Sequence, residues 1–371
     1  KESRMKRDAL DEKYMRMAIS LAKKGAGKTS PNPLVGAVLV KNGKVITADY
    51  HKKAGLMHAE ALVISKAGNK AKGAVLYVTL EACAHSGKTP PCVNLIIKSG
   101  IKRAVFAVRD PNPVNCGRGI AMLKRAGIET RCGVLKNEAA DLNRPFTKFM
   151  KKRLPYVTIK MAQSVDGKTA DAKGRSRWIT SAASRKFVHK LRSRNDALMV
   201  GINTLIKDNP RLTNRSRGQI KKQPLRIILD TNLRIPLRSN VLNNAENGGK
   251  TLIAGGRGAS LKKKLSIEKK GAGVILLPKK NNHINLYSLL KYLAGINVVS
   301  VLCEGGSVLA SSLIKEKLAD EVFFFISPRI IGGRASPASC DGLAGDLKKS
   351  IMLKSPGMER VGQDFLIKGY L

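Results

Sequence analysis

The chain has 371 residues and carries 69 Lys and Arg against 26 Asp and Glu, a formal net charge of +43. Apolar residues make up 43% of it, which excludes a wholly disordered chain, and the length is sufficient for two domains with separate cores. No apolar run approaches the ~18 residues of a membrane span, and the first residues lack the apolar core of a signal peptide. We therefore expect a cytoplasmic protein that does not associate with membranes.

The positive charge is spread along the whole chain, with a net +17 over residues 1–150 and +26 over residues 151–371. Aromatic residues are only 4% of the chain, so the mixture of basic and aromatic side chains typical of nucleic-acid binding is absent. The charge alone specifies no ligand. The six cysteines are too few for a disulfide framework, which favours metal ligation or core packing.

The first half of the chain alternates helices with strands. Apolar residues at helical spacing predict a helix over residues 8–24, and the Asn42-Gly43 pair between two apolar runs predicts a tight β-hairpin. Further along, the pattern predicts helices over 58–67 and 91–99 and strands over 74–80 and 104–108.

A polar and basic segment over residues 141–155 separates this series from a second one, and we place the domain boundary near residue 150. The second series alternates in the same way, which predicts α/β layering in both halves. Its predicted strands are 156–160, 197–200, 225–229, 251–254, 274–277, 298–302 and 322–326, and its predicted helices are 184–194, 286–293 and 308–317.

The first half also contains a candidate metal centre, formed by His58 with Cys83 and Cys92. One imidazole and two thiolates are three zinc ligands, and they leave a fourth tetrahedral position for water, as catalytic zinc requires. Zinc lowers the pKa of such a water, and a carboxylate two residues from the histidine is placed to move its proton. We predict a Zn²⁺ site on these three ligands, with Glu60 as general acid and base. The alternative is that they are unrelated core residues.

His-x-Glu followed later by Pro-Cys is typical of the zinc nucleobase deaminases. The eight-residue interval between Cys83 and Cys92, together with Ser-Pro-Asn-Pro at 30–33 and Val-Gly-Ala-Val at 35–38, resembles the deaminase half of the bifunctional riboflavin-biosynthesis family. The resemblance implies hydrolytic deamination of 2,5-diamino-6-ribosylamino-4(3H)-pyrimidinone 5′-phosphate. It also places His51 and His85 around the pyrimidine, where the alternative is solvated surface histidines.

That family has proline where this chain has Ala82, and we expect the change to loosen the loop and affect the rate without abolishing zinc binding. The remaining cysteines we expect to be structural; they are Cys116, Cys132, Cys303 and Cys340.

In the second half, Glu304-Gly305-Gly306-Ser307 follows an apolar strand and opens a predicted helix. Glycines there would let a phosphate reach backbone N–H groups at the positive end of the helix. The segment lacks the G-x-G-x-x-G spacing of a Rossmann fingerprint, so the residues by themselves indicate only a nucleotide-like ligand.

The order of motifs over residues 156–335 resembles the reductase half of the same family, which is similar in fold to dihydrofolate reductase and uses NADPH. The resemblance implies NADPH contacts at Ala162, Trp178, Thr204, Asp208, Gly306, Ser307, Val308, Leu309, Ala310, Ser311 and Ser312. It implies contacts to the ribose-phosphate substrate at Ser176, Arg192, Leu212, Arg215 and Glu304.

The residue types agree with these implied roles, because arginines can pair with a phosphate and a glutamate can accept hydrogen bonds from sugar hydroxyls. The alternative for Arg192 and Arg215 is a solvated surface charge, and for Trp178 it is core packing. Lys160 and Asp166 are further candidates for lining the site, without an assigned step.

The sequence thus predicts an α/β protein with an N-terminal cytidine-deaminase-like zinc domain at 1–150 and a C-terminal dihydrofolate-reductase-like domain at 151–371. The second reaction implied is NADPH-dependent reduction of 5-amino-6-(5-phosphoribosylamino)uracil. We expect phosphorylated pyrimidine substrates, no specific nucleic acid and, by analogy, a homo-oligomer. Two alternatives are an RNA-directed zinc deaminase and a non-catalytic zinc nucleic-acid-binding protein. The eight-residue interval between Cys83 and Cys92 argues against the RNA-directed deaminase, because RNA editors resemble Cys-x-x-Cys spacing. The presence of Glu60 beside a zinc ligand argues against the non-catalytic protein.

Overall fold

A computed structural model of the protein describes residues 2–85, 90–215, 222–243, 249–333, 338–340, 343 and 345–371. The chain divides into two units, Lys1–Arg153 and Leu154–Leu371. Each unit contains a sheet with buried apolar clusters on both faces, which confirms the α/β prediction. Among the described residues, no helix is long and apolar enough to cross a membrane.

The strands of the first unit are β1 (Gly36–Lys41), β2 (Lys44–Tyr50), β3 (Val75–Leu80), β4 (Arg103–Val108) and β5 (Glu129–Cys132). Its helices are α1 (Glu2–Lys23), α2 (Ala59–Ala67), α3 (Cys92–Lys98), α4 (Arg118–Arg125), α5 (Lys136–Leu142) and α6 (Arg144–Lys152). The sheet order is β2-β1-β3-β4-β5. β1 runs antiparallel to β2 and β3, whereas β3, β4 and β5 are parallel.

The predicted hairpin is the β1–β2 pair. Asn42 and Gly43 have φ angles of 50° and 73°, the left-handed conformation that a two-residue hairpin turn with matching strand twist requires. Side chains of β1 alternate between the faces, so Leu39 packs in the cluster that contains α2 and α3, and Val38 packs against α1. A Cβ atom on Gly36 would lie 2.0 Å from a backbone oxygen of α1, so the helix lies directly on the strand.

The second unit has the strands β6 (Tyr156–Ser164), β7 (Ala197–Gly201), β8 (Leu225–Leu229), β9 (Thr251–Gly256), β10 (Gly273–Leu277), β11 (Lys279–Lys280), β12 (His283–Ile284), β13 (Ser300–Cys303), β14 (Glu321–Ser327), β15 (Lys354–Val361) and β16 (Asp364–Tyr370). Its helices are α7 (Ala182–Arg194), α8 (Ile202–Asp208), α9 (Leu261–Glu268), α10 (Leu286–Gly295) and α11 (Ser307–Lys315). Nine strands form one sheet in the order β10-β9-β8-β7-β13-β6-β14-β16-β15, and β11 pairs with β12.

From β10 to β14 the neighbouring strands of this sheet are parallel, and the last two strands are antiparallel. Parallel strands bring their carboxyl ends to one edge of the sheet, where ligands of open α/β sheets bind. Residues 176–178 follow β6, residues 204–208 follow β7 and residues 304–312 follow β13. The topology therefore places the segments that carry most of the implied NADPH contacts at the same edge.

The polar and basic segment over residues 141–155 is largely helical. The segment contains α6, whose Phe146 and Phe149 are buried while Lys151 and Lys152 are exposed. The polar and basic composition of the segment therefore reflects the solvent-facing side of an amphipathic helix.

Other differences have equally local causes. β5 and the β15–β16 hairpin were not predicted, because β5 has four residues without an apolar run and β15 is exposed along nearly its whole length. The helix predicted over 8–24 begins earlier, at Glu2.

Candidate active sites

The three predicted zinc ligands converge at the N-termini of two helices. His58 immediately precedes α2, Cys92 is the first residue of α3, and Cys83 follows β3. The Nδ1 atom of His58 lies 3.3 Å from the Sγ of Cys92 and 3.6 Å from the Sγ of Cys83. All three ligand atoms lie within 4.8 Å of one another, and no other such group occurs among the described residues. Residues 86–89, which lie between Cys83 and Cys92 in the sequence, are outside the part of the chain that the structure describes.

The loop that carries Cys83 is fixed by hydrogen bonds on both sides of the ligand. The carbonyl of Cys83 accepts from the N–H of Val93 at 3.2 Å, and its Sγ accepts from the N–H of Cys92 at 3.3 Å. The buried Asn115 accepts at Oδ1 from the N–H of Ala84 at 2.7 Å. One thiol is thus tied to the helix that supplies the other.

Glu81, immediately before this loop, is a buried carboxylate that acts as a backbone anchor. It accepts hydrogen bonds from the N–H groups of Asp110, Gly117 and Ile120 at 2.9–3.1 Å. These bonds satisfy the charge of a side chain that is only 3% exposed. The neighbouring Ala82 is fully buried; the expected effect of this residue on loop mobility stays a prediction.

Glu60 lies in the first turn of α2, next to the ligand group, and is 4% exposed. Burial raises the pKa of its carboxyl to about 7, with the charge of His58 opposing the shift. A carboxyl with such a pKa can both accept and donate a proton near neutral pH, which is the property a general acid and base requires.

A cavity of about 350 Å³ opens beside these residues and is large enough for a pyrimidine. Its lining includes Asn32, His51, His58, Glu60, Cys83, His85, Asp110, Asn112 and Phe146. The two histidines named by the resemblance therefore both face it, His51 buried and His85 exposed.

The hydrogen bonds of His51 define its protonation. Its Nδ1 lies 3.1 Å from the carbonyl of Met57 and so donates, whereas its Nε2 lies 3.2 Å from the amide nitrogen of Asn32 and so accepts. Burial lowers the pKa of this imidazole, which agrees with a neutral ring. His51 thereby orients the amide of Asn32 at the cavity wall.

Sequence reasoning missed Asp110 and Asn112 as cavity residues and Asn115 as a support of the ligand loop. The signal was present, since these polar residues follow directly after the buried strand β4. The cysteines outside the ligand group differ in burial: Cys303 is buried, Cys340 is half-buried, and Cys116 and Cys132 are exposed.

In the second unit, a cavity of about 880 Å³ lies beside the N-terminus of α11. It is lined by six of the implied NADPH contacts, which are Thr204, Gly306, Ser307, Val308, Leu309 and Ser312. Gly306 precedes the helix, and a Cβ atom there would meet only the Thr204 hydroxyl, at 3.9 Å. Ala310 and Ser311 are buried on the inner face of α11. Ala162, Trp178 and Asp208 are not among the residues that line this cavity.

The implied substrate residues Arg192 and Glu304 contact each other. The Nε and Nη2 atoms of the guanidinium each donate to the carboxylate at 2.7 Å, and Nη1 donates to the carbonyl of Thr213 at 3.0 Å. Burial opposes ionisation of Glu304, but the charge of Arg192 and then that of Lys160 lower its pKa below the usual value. Most of the hydrogen-bonding capacity of Arg192 is therefore used within the protein, which sequence reasoning did not anticipate.

The remaining implied substrate residues lie in different surroundings. Arg215 is exposed, and its backbone N–H donates to Nδ1 of His189 at 3.3 Å. Leu212 is buried, and Ser176 is half-buried. Burial, with the charges of Arg192 and Arg215, lowers the pKa of His189 to about 4, so this imidazole is neutral beside the arginine pair.

Lys160 on β6 belongs to the same group of charges. Burial lowers the pKa of its ammonium group, while the charge of Glu304 opposes the shift. Trp178 is 60% exposed, which excludes the core-packing alternative. The Cζ of Arg185 lies 4.4 Å from the centre of its ring.

Family models match both units. The model described as cytidine and deoxycytidylate deaminase zinc-binding region matches residues 8–108. The model described as RibD C-terminal domain matches residues 155–367.

Curated relatives and solved structures match over nearly the whole chain. The riboflavin biosynthesis protein RibD of Aquifex aeolicus is 44% identical, covering 96% of this chain and 98% of that protein. The Escherichia coli RibD is 37% identical, covering 88% of this chain and 89% of that protein. The Acinetobacter baumannii RibD structure has a TM-score of 0.88 at 36% identity, covering 98% of this chain and 99% of its own. The Thermotoga maritima diaminohydroxyphosphoribosylaminopyrimidine deaminase/5-amino-6-(5-phosphoribosylamino)uracil reductase has a TM-score of 0.86 at 36% identity, with the same coverage.

Proposed function

The chain belongs to the RibD family of bifunctional riboflavin-biosynthesis enzymes, and we propose how its residues divide the two reactions. The enzyme deaminates 2,5-diamino-6-ribosylamino-4(3H)-pyrimidinone 5′-phosphate and then reduces 5-amino-6-(5-phosphoribosylamino)uracil with NADPH. We assign deamination to residues 1–150 and reduction to residues 151–371. The observation that carries this assignment is that the His58, Cys83 and Cys92 ligand group lies in one unit and the cavity at α11 in the other.

We assign zinc to His58, Cys83 and Cys92. Ligand atoms within 4.8 Å of one another suit a tetrahedral ion at about 2.0–2.3 Å from each, and imidazole and thiolate are its preferred donors. When bound, zinc supplies Lewis-acid activation of a water molecule.

Glu60 moves the protons of the deamination. Its carboxylate takes a proton from the attacking water, whose oxygen bonds to the amine-bearing carbon, and gives that proton to the pyrimidine ring nitrogen. It then takes the second proton from the same oxygen and gives it to the amino group, which leaves as ammonia when the C–N bond breaks. A pKa of about 7 supports both directions of transfer at neutral pH. The cavity residue Asn32, whose amide is oriented by His51, holds the pyrimidine against this carboxyl.

The test of this assignment is Glu60→Gln, which keeps the shape of the side chain and removes the transferable proton. We expect deamination to fall by about 10²–10⁴-fold, with zinc content unchanged and reduction of the deaminated substrate retained. The control is Glu138→Gln on the exposed face of α5, which should be neutral. Full deamination by a zinc-loaded Glu60→Gln enzyme would disprove the assignment.

We assign NADPH to the cavity at α11 and to the segments at the same edge of the sheet. The open space above Gly306 and the N-terminus of the helix suit a phosphate group, which needs close approach to backbone N–H groups. The cavity volume is in the range of cofactor sites. When bound, NADPH supplies the hydride for the sugar C1′. The chain positions the phosphorylated sugar through the group of Arg192, Arg215 and Glu304.

Gly306→Ala tests the cradle, because the added methyl group meets no protein atom closer than 3.9 Å yet occupies the phosphate space. We expect the protein to fold normally and to lose most of the thermal protection that NADPH gives. Gly295→Ala at the end of α10, where a Cβ atom also meets nothing, is the control and should keep full protection. Equal protection of both variants would remove the cradle from the site.

We further propose that the enzyme works in the cytoplasm, since phosphorylated substrates and NADPH carry charges that do not cross a bilayer unaided. The expected homo-oligomer stays a prediction, which sedimentation of the purified chain would test. The RNA-directed deaminase and the non-catalytic nucleic-acid-binding protein find no support in these relatives.

A further inference from the structure

Three segments of the second unit meet at the edge where the cofactor is assigned, and they are joined by side chains without a role so far. β6 and β14 are parallel neighbours, paired up to Ser164 with Ser327. The turn after β6 and the segment after β14 therefore leave the sheet side by side. The third segment, residues 176–178, carries Trp178 and is the Trp178 segment.

Asp166 joins the first two segments. Its carboxylate accepts from the N–H of Ile331 at 3.1 Å, from the N–H of Gly332 at 2.7 Å and from the hydroxyl of Ser164. These hydrogen bonds, first that of Ser164 and then those of the two backbone groups, lower its pKa to about 2. The carboxylate is thus fully ionised at any pH at which the enzyme works, and charge-assisted bonds of this kind are the stronger ones.

Arg329 joins the third segment. Its carbonyl accepts from the N–H of Val165 at 3.0 Å, and its Nη1 donates to the carbonyl of Trp178 at 3.2 Å. The adjacent Arg177 donates from Nη2 to the carbonyl of Asp208 at 2.6 Å. A continuous series of bonds therefore runs from the β6 turn to the end of α8.

We propose that Asp166 and Arg329 are positioning residues of the reductase, which together hold the Trp178 segment in place for the cofactor. The inference rests on the proposed NADPH site, to which Trp178 and Asp208 are assigned. The indole is 60% exposed, with the guanidinium of Arg185 against its ring. Beside that contact, the backbone bond from Arg329 restrains the segment. The bonds of Asp166 restrain the segment that carries Arg329.

The test uses the fluorescence of Trp178, the sole tryptophan of the chain, in the full-length protein without ligand. In Arg329→Ala we expect lower fluorescence anisotropy and stronger quenching by acrylamide than in the wild type. In the reductase assay we expect KM for NADPH to rise about tenfold, the effect of one lost charge-assisted hydrogen bond, with kcat within about twofold. Arg329→Lys, which keeps a donor, should recover part of both changes.

The matched control is Arg360→Ala, because Arg360 is also exposed and donates from Nε to a backbone carbonyl, that of Gly362, at 3.1 Å. It should leave both the anisotropy and KM unchanged. Asp166→Asn, whose amide cannot accept both backbone N–H groups, should change both in the same direction as Arg329→Ala. Circular dichroism and thermal unfolding identify a variant whose second unit has failed to fold, and the deaminase activity of the same chain confirms that the first unit is intact.

Unchanged anisotropy and unchanged KM in a folded Arg329→Ala protein would overturn the proposal, whatever the result for Asp166→Asn. Failure of the proposed function has a different signature, since the wild type would then show no saturable NADPH binding. The anisotropy of the ligand-free variants would still decide whether Arg329 restrains the segment.

Discussion

The site of the first unit is assembled within one small volume, whereas the site of the second is spread over segments that follow different strands. Three ligand atoms of the first unit lie within 4.8 Å of one another, and the carboxyl of Glu60 is buried beside them. In the second unit the implied contacts follow β6, β7 and β13, and the charges of Arg192 and Glu304 neutralise each other. The first site depends on a few atoms, and the second depends on the mutual placement of several segments.

Because of this difference, the two sites should respond differently to single substitutions. Removal of one zinc ligand should abolish deamination, because the metal then loses one of only three protein atoms that hold it. Removal of one contact in the second unit should weaken binding or stability by a limited amount, except where a buried charge is left unpaired.

The largest effect is expected for Cys92→Ala. The zinc content of the purified protein and its deamination should both fall to background, while reduction of the deaminated substrate continues. Metal analysis and the two activity assays check this. Cys132→Ala, which removes an exposed thiol, should retain zinc and both activities. A Cys92→Ala protein with full zinc content would mean that the ligand group is assigned wrongly.

A smaller but substantial effect is expected for Glu304→Gln, which leaves Arg192 buried without its charge partner. Both side chains are little exposed, at 13% and 11%, so the loss should destabilise the second unit by about 3–5 kcal/mol. Denaturant unfolding followed by Trp178 fluorescence measures it. Glu359→Gln breaks an exposed pair with Lys368 and should cost less than about 1 kcal/mol. Similar losses in the two variants would contradict the burial argument.

The smallest effect concerns pH. The pKa of His189 is about 4 in the folded protein against an ordinary value of 6.5, so between these values the unfolded chain binds a proton that the folded chain does not. Stability contributed by this residue is present above pH 6.5 and is lost as the pH falls toward 4. In His189→Gln the unfolding free energy should therefore depend less steeply on pH in this window. An equal slope in wild type and variant would refute the lowered pKa.

Much of the first site could be predicted from the sequence because metal ligation restricts residue type. Only Cys, His and carboxylates suit zinc. His58 and Cys92 stand at predicted helix starts, and Cys83 follows a predicted strand. The supports of this site were less visible. Asn115 and Glu81 act through backbone groups that are distant in the chain, and such bonds leave no periodic pattern in the sequence.

In the second unit the strand order was the missing information. The glycines before α11 predict an anion site by themselves, and the resemblance named Trp178 and Asp208. Arg177 and Arg329 connect the segments of Trp178 and Asp208, and the position of Arg329 depends on the parallel pairing of β6 with β14. The lengths of the predicted strands and their apolar runs do not show which strands are neighbours. The Arg192 pair with Glu304 likewise joins residues more than one hundred positions apart, so each appeared in the sequence as a separate charge.

The central claim is that one chain performs deamination in its first unit and reduction in its second. The most direct measurement is the product mass after incubation of the purified protein with the diaminopyrimidine phosphate, with and without NADPH. We predict the exchange of an amino group for oxygen without NADPH, and the further addition of two hydrogens with it. The Glu60→Gln protein should give neither product from this substrate, yet it should reduce the deaminated compound. An unchanged substrate mass with zinc-loaded wild type, or reduction by wild type that requires no NADPH, would contradict the account.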